Sequence, residues 1–97
     1  MEISAALTDL ANEVRACIKC DLCKTRKRAV PGEGPDNAQI FIVGMCPGSC
    51  EDAVGRPFMG ESGLLLYKML LEAGIERSEC YVSNLVKCRP MTSAGSN

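Results

Sequence analysis

The stretch IFIVG, Ile40 to Gly44, decides the fold together with a second β-branched run, Tyr81 to Val86, and what lies between them. A short, unbroken apolar run closed by glycine suits a strand covered on both faces. A loop rich in Gly and Pro follows. A helix then opens at Ser62 or Gly63, runs through Leu64, Leu65, Leu66, Met69, Leu70 and Ala73, and closes at Gly74, the residue type that helix C-termini favour. Strand, loop, helix and strand in this order make a βαβ unit whose strands run parallel as neighbours or near neighbours. The fold class is α/β, a partial parallel sheet with flanking helices.

Upstream, Ile3, Leu7, Leu10, Val14 and Cys17 recur at steps of three and four, one face of an amphipathic helix with Ser4 near its start. From Cys20 to Pro35 the periodicity breaks. A basic cluster, Lys24, Arg26, Lys27 and Arg28, leads into Pro31, Gly32, Gly34 and Pro35, which reads as an ordered loop within a single domain spanning 1–97. The segment Thr92 to Asn97 is small and polar and is expected to be a flexible tail.

Composition bounds the setting. The chain has 97 residues, seven Cys, no His, no Trp, a net charge of -1, 46% hydrophobic and 24% charged residues, which describes a small soluble domain near the low end of what buries its own core. An odd cysteine count argues against a closed disulfide framework, and the start lacks the basic-then-apolar pattern of a secretory signal. A reducing cytoplasm is expected. No apolar run approaches the roughly 20 residues that span a bilayer, so no membrane role is expected. Lack of His removes the usual general base and the commonest nitrogen ligand for metals.

Thiols dominate the chemistry that remains. Cys17, Cys20 and Cys23 stand at C-x-x-C-x-x-C spacing, and Cys88 follows in VKCRP. Two thiolates at this spacing reach one centre because the backbone between them curls around it. A third at the same step, with a distant Cys close before Pro, favours an iron–sulfur site; structural zinc and unliganded or disulfide-bonded thiols are the alternatives. A second site is expected beyond the carboxyl ends of the strands, where the Gly44 to Gly48 loop leaves the first strand. Asn84, late in the second strand, either reads the edge of a base or amide or satisfies loop backbone. Phe58 reads, on sequence alone, as core packing. Lys24 to Arg28 contact phosphates or form a solvated face. Cys46 and Cys50 flank the loop as small packing residues, with a second metal pair or a redox couple as the alternatives, and Cys80, before the second strand, belongs to the core.

The strings CIKC, VPGEGP, GMCPGSCED at Gly44 to Asp52, GRPFMGESG at Gly55 to Gly63 and NLVKCRP at Asn84 to Pro90 resemble, in order and spacing, the iron–sulfur uracil-DNA glycosylases, family 4 of their superfamily. The resemblance runs from about Cys17 to Pro90. It implies excision of uracil from DNA, in base excision repair, by hydrolysis of the N-glycosidic bond. It implies a uracil pocket floored by Gly44, Met45, Cys46, Pro47 and Gly48, a ring, Phe58, stacked on the extruded base, and an amide, Asn84, reading its edge. Glu51 is placed near C5 of the base. Cys17, Cys20 and Cys88 match three ligands of a 4Fe-4S cluster, with zinc as the alternative metal; Cys23 either completes the cluster in place of the family's downstream Cys or is incidental.

Two departures are specific. Met45 stands where the family carries Glu, and Cys46 where it carries a small residue, so no catalytic residue is assigned. The family's fourth cluster Cys and its His-bearing motif follow the block matching VKCRP, so a truncated glycosylase fold is expected, its open sheet edge covered by a partner chain or a second copy. Two functions follow from the resemblance: a glycosylase acting on uracil-containing DNA, or a noncatalytic iron–sulfur module, or fragment, that binds nucleic acid.

Overall fold

The computed structural model describes residues 4–91. Ile3 of the helical pattern and the expected tail 92–97 lie outside the described residues.

Helix α1, Ala5–Ala16, begins where Ser4 Oγ accepts the Leu7 N–H at 3.2 Å, the N-cap expected of a serine that has left the helical region. It ends at Cys17, whose N–H bonds Val14 O. Its apolar face, Leu7, Leu10, Ala11 and Val14, overlies a cavity of about 350 Å³ walled opposite by Phe41 and Tyr81. None of the residues of α1 is buried.

Strands β1, Ile40–Gly44, and β2, Cys80–Asn84, pair in parallel with Ile40 opposite Cys80 and Gly44 opposite Asn84. The βαβ reading therefore holds. The expectation that β1 is covered on both faces does not: Phe41 is 62% exposed, and Ile40 and Val43 are exposed beside it. The buried strand is β2, because Glu33 pairs with Val82 on its far side through reciprocal N–H···O=C bonds of 2.9 Å, while β1 is the outer strand of a two-stranded sheet among the described residues. An apolar run permits cover and does not supply it. Phe41 meets Tyr81 edge to face, the ring centroids 5.1 Å apart.

Two helices follow β1. Helix α2, Ser49–Val54, lies where the sequence was read as loop; Gly48 is its N-cap, and it stops at Gly55, whose φ of 85° ends a helix without strain. Helix α3, Glu61–Glu72, starts close to the expected point and ends at Ala73, followed by Gly74 at φ 78°. Leu64, Leu65, Met69 and Leu71 of α3 face outward. Short 3₁₀ turns occupy Asp21–Lys24 and Arg77–Glu79. The core beneath consists of Val30, Pro47, Pro57, Cys80, Val82 and the carboxylate of Asp52. Among the described residues no helix is long and apolar enough to cross a membrane.

Candidate functional site

At the carboxyl end of the sheet a cavity of about 640 Å³ opens between the β1–α2 loop, the start of α3 and the end of β2. Gly44, Met45, Cys46, Gly48, Glu51, Phe58 and Asn84 all line it, which gathers seven residues singled out in the sequence; Pro47 is fully buried behind them. Parallel register makes Gly44 and Asn84 direct neighbours. A Cβ at Gly44 would collide with Asn84 Oδ1 and lie 2.8 Å from Phe58 Cζ, so the carboxamide and the ring converge on one bare backbone position. Glycine is required there for approach rather than for an unusual φ.

Asn84 is only 5% exposed, and among the described residues its side chain makes no hydrogen bond. Its amide atoms are not among the buried unpartnered ones, so they open on the cavity and are free to bind a ligand there. The reading in which Asn84 serves loop backbone is not what this geometry gives: its own carbonyl, not its amide, accepts from Lys87 Nζ, which also donates to Ser83 Oγ at 2.7 Å. The amides of Met45 and Cys46 are likewise unengaged among the described residues and lie along the same loop. Met45 is 75% exposed at the mouth.

Glu51 holds the pocket's two sides together. Its Oε1 accepts the Gly48 N–H at 2.8 Å, and its Oε2 accepts those of Met59 at 2.8 Å and Gly60 at 2.7 Å. Burial pushes this carboxyl upward, and the N–H groups of Gly48, Gly60 and Met59 outweigh that and bring its pKa below the ordinary carboxylate value. The side chain expected beside the base thus spends its oxygens on backbone. The clamp falls next to Phe58, whose φ of 56° makes it the one non-glycine residue with positive φ among the described residues. Strained backbone persists where its surroundings fix it. Gly63 completes the fixation, because a Cβ there would overlap the Phe58 carbonyl.

Asp52, the next residue of α2, was missed in the sequence. It is 1% exposed, and its Oδ1 accepts the N–H groups of Lys27 at 2.8 Å and Arg28 at 3.3 Å, so α2 fastens the pocket on one side and the basic loop on the other. Glu33 was missed as well: it forms a two-bond fork with Arg56 and bonds Arg77, whose guanidinium stands 4.1 Å from the Tyr67 ring centroid. Burial opposes ionisation of Glu33, and the paired Arg56 and Arg77 outweigh it and hold its pKa down.

All seven cysteines carry unpaired thiols. Cys17 caps α1, Cys20 is exposed, Cys23 is half-buried and Cys88 is buried. Arg26 Nη1 donates to Cys88 Sγ at 3.1 Å, and the guanidinium is held protonated first by that bond and further by the charges of Cys88, Cys23 and Cys17. One expected ligand, Cys88, therefore touches a cation, and Cys17 and Cys23 are near enough to act on its charge. Among the described residues no three Cys, Asp or Glu side chains are gathered closely enough to hold a metal ion. The donor set suits a thiolate-liganded centre in kind; the spacing would have to close around it. Cys46 and Cys50 line the pocket, and Cys80 is core, its thiol pKa pushed up first by burial.

Comparison with known proteins follows the same residues. The model of the uracil DNA glycosylase superfamily matches residues 31–97. The chain is 46% identical over 85 residues to a type-4 uracil-DNA glycosylase of Archaeoglobus fulgidus, covering 88% of this chain and 43% of that protein. It is 50% identical over 82 residues to the type-4 enzyme of Saccharolobus solfataricus, covering 84% and 38% respectively. A type-5 uracil-DNA glycosylase of Thermus thermophilus is 35% identical over 77 residues. The chain spans about two fifths of the length of the type-4 relatives.

Proposed function

We infer the function from one premise: the chain belongs to the uracil DNA glycosylase superfamily. It carries the uracil-recognising part of an enzyme that repairs DNA by hydrolysing the bond between uracil and deoxyribose. The observation that supports this most is the convergence of the unpartnered Asn84 carboxamide and the fixed Phe58 ring on Gly44. An enzyme acting on a base must take it out of the stack and then recognise it by stacking and by edge hydrogen bonds. Phe58 supplies the first and Asn84 the second, its oxygen and NH₂ matching adjacent donor and acceptor atoms of uracil. Bond cleavage leaves negative charge on the departing base, and the Met45 and Cys46 amides are preorganised donors for it. Met45 itself neither orients water nor accepts a proton.

Cys17, Cys20 and Cys88, with Cys23 as the fourth ligand, are the residues that would hold a 4Fe-4S cluster, or zinc in its place. Such a centre supplies a crosslink between the end of α1 and the segment after β2. A reducing cytoplasm suits seven unpaired thiols. A partner chain or second copy covers the open edge of β1, where Phe41 and Val43 are exposed. The second reading, a noncatalytic module that binds uracil-containing nucleic acid, is favoured by Met45 in place of Glu.

The test compares single-stranded oligonucleotides that differ only in one uracil or thymine. The native chain is expected to prefer uracil, and Asn84→Ala to weaken that binding by about 1–3 kcal/mol, the scale of a good two-bond base contact, without changing binding of the thymine strand. Equal binding by the variant removes Asn84 as the base reader. Release of free uracil by the native chain or by Met45→Glu identifies the enzyme; binding without release by either identifies the module.

A further inference from the structure

We propose that Lys27, Arg28 and Arg89 form a phosphate-binding ridge that seats the sugar–phosphate backbone of a DNA strand beside the pocket. The proposal rests on the base-pocket reading for its choice of polyanion. It begins from where positive charge is left over. Of eleven Lys and Arg side chains, six have partners: Arg15 with Asn12, Lys24 with Asp21, Arg26 with Cys88, Arg56 and Arg77 with Glu33, and Lys87 with Ser83. The other five, Lys19, Lys27, Arg28, Lys68 and Arg89, make no side-chain hydrogen bond or ion pair among the described residues. Three of these five, Lys27, Arg28 and Arg89, belong to two chain segments that lie side by side.

That adjacency is fixed by backbone and side chain alike. The Val30 N–H donates to Lys87 O at 2.7 Å, and Arg26 reaches Cys88 Sγ. Arg89 then follows Cys88 directly, and its Nε is buried with no hydrogen-bond partner. The guanidinium thus has no anionic partner among the described residues, and a phosphate at its terminal nitrogens would supply one. Lys27 and Arg28 are exposed, but their backbone is not loose, because Asp52 accepts both of their N–H groups. The stem of Arg28 lies over Gly55, its Cδ 3.2 Å from the position of an added Cβ. A chain of net charge -1 has no general attraction for polyanions, so a local concentration of unpaired cations is the part that selects one.

Position relative to the pocket gives the ridge its use. Glu51 and Asp52 are consecutive on α2; the first clamps the pocket loops and the second clamps Lys27 and Arg28. A strand held by phosphates on the ridge is thereby held in fixed register with the cavity at Asn84. Phosphate contacts set position and carry no sequence information, which is what a base-extruding protein needs outside its pocket.

The test is binding of the two oligonucleotides above across a salt series by the full chain. Each cation removed from a single-strand contact should lower the slope of log K against log salt by about 0.7, so the triple variant Lys27→Gln/Arg28→Gln/Arg89→Gln should lose about 2 from it. It should weaken the uracil and thymine strands by the same factor, at least about tenfold at physiological salt. The double variant Lys27→Gln/Arg28→Gln, confined to exposed side chains, should lose about 1.4 and guards against misfolding of the triple. Lys68→Gln, an unpaired cation on α3, should leave the slope unchanged. An unchanged slope in the double variant, an equal loss in Lys68→Gln, or a native chain that binds anionic phospholipid vesicles and no oligonucleotide overturns the ridge. A native chain that ignores the uracil–thymine difference while the variants lose slope overturns the base reader and leaves the ridge standing.

Discussion

Replacing Glu51 by Gln keeps the side chain's shape and removes the charge that joins the two sides of the pocket. The carboxylate accepts three backbone N–H groups at 2.7–2.8 Å, from Gly48, Met59 and Gly60. An amide offers one acceptor oxygen. If that oxygen serves Met59 and Gly60, its NH₂ confronts the Gly48 N–H; if it serves Gly48, two donors are stranded. A hydrogen bond to a charged group contributes about 1.5–3 kcal/mol, and Glu51 is only partly withdrawn from water, so the expected loss is about 2 kcal/mol. For a domain of this size the urea midpoint should fall by about 2 M. The acid limb checks the cause. Because the folded carboxyl titrates below its ordinary value of 4.5, its contribution is present above the unfolded pKa and is lost as pH falls through the folded one. Native and Glu51→Gln stabilities should therefore differ near neutrality and converge in acid. A variant with an unchanged midpoint, or a difference that persists at low pH, would refute the clamp.

Two further outcomes test the scaffold. Gly63→Ala should destabilise the fold by at least about 3 kcal/mol, because the new methyl overlaps the Phe58 carbonyl and backbone has little room to yield; a thermal midpoint equal to the native one would show that Phe58 is not held there. Anaerobically purified native chain should contain about four irons and four sulfides, the complement of a 4Fe-4S cluster, and Cys88→Ser should lose them together with visible absorption. Cys23→Ser should do the same, and retention of the full iron content by that variant would release Cys23 from the ligand set.

The sequence made the α/β class legible because its signals are local: Ser4 before an amphipathic pattern, Gly74 after one, and two β-branched runs flanking a helix. In the sequence Gly44, Phe58 and Asn84 were picked out one by one, and in the structure they line one cavity. What it hid depends on long-range company. The run at Ile40 to Val43 looks buried by composition, yet burial belongs to whatever packs against a strand, and Glu33 pairs with β2 instead. Helix α2 was invisible because six residues between two glycines carry too little periodicity. Glu33 and Asp52 were passed over for the same reason: an acidic side chain reads as surface until its Arg or N–H partners, more than twenty residues away, are known.

The division of labour along α2 ties these observations together. A helix of six residues has little stability of its own, so its place in the fold must come from its side chains rather than from its backbone. Glu51 and Asp52 point to different parts of the molecule because successive helical residues are rotated by about 100°. One reaches Gly48, Met59 and Gly60; the other reaches Lys27 and Arg28. Each holds its target and is held by it, so the helix is a rivet between the loops around Phe58 and the loop that carries the basic residues. Losing Asp52 should therefore free Lys27 and Arg28 without directly touching Asn84 or Phe58, whereas losing Glu51 should loosen Phe58 while leaving the basic loop fastened. Base recognition and strand seating are thus separable in mutation although they share one short helix.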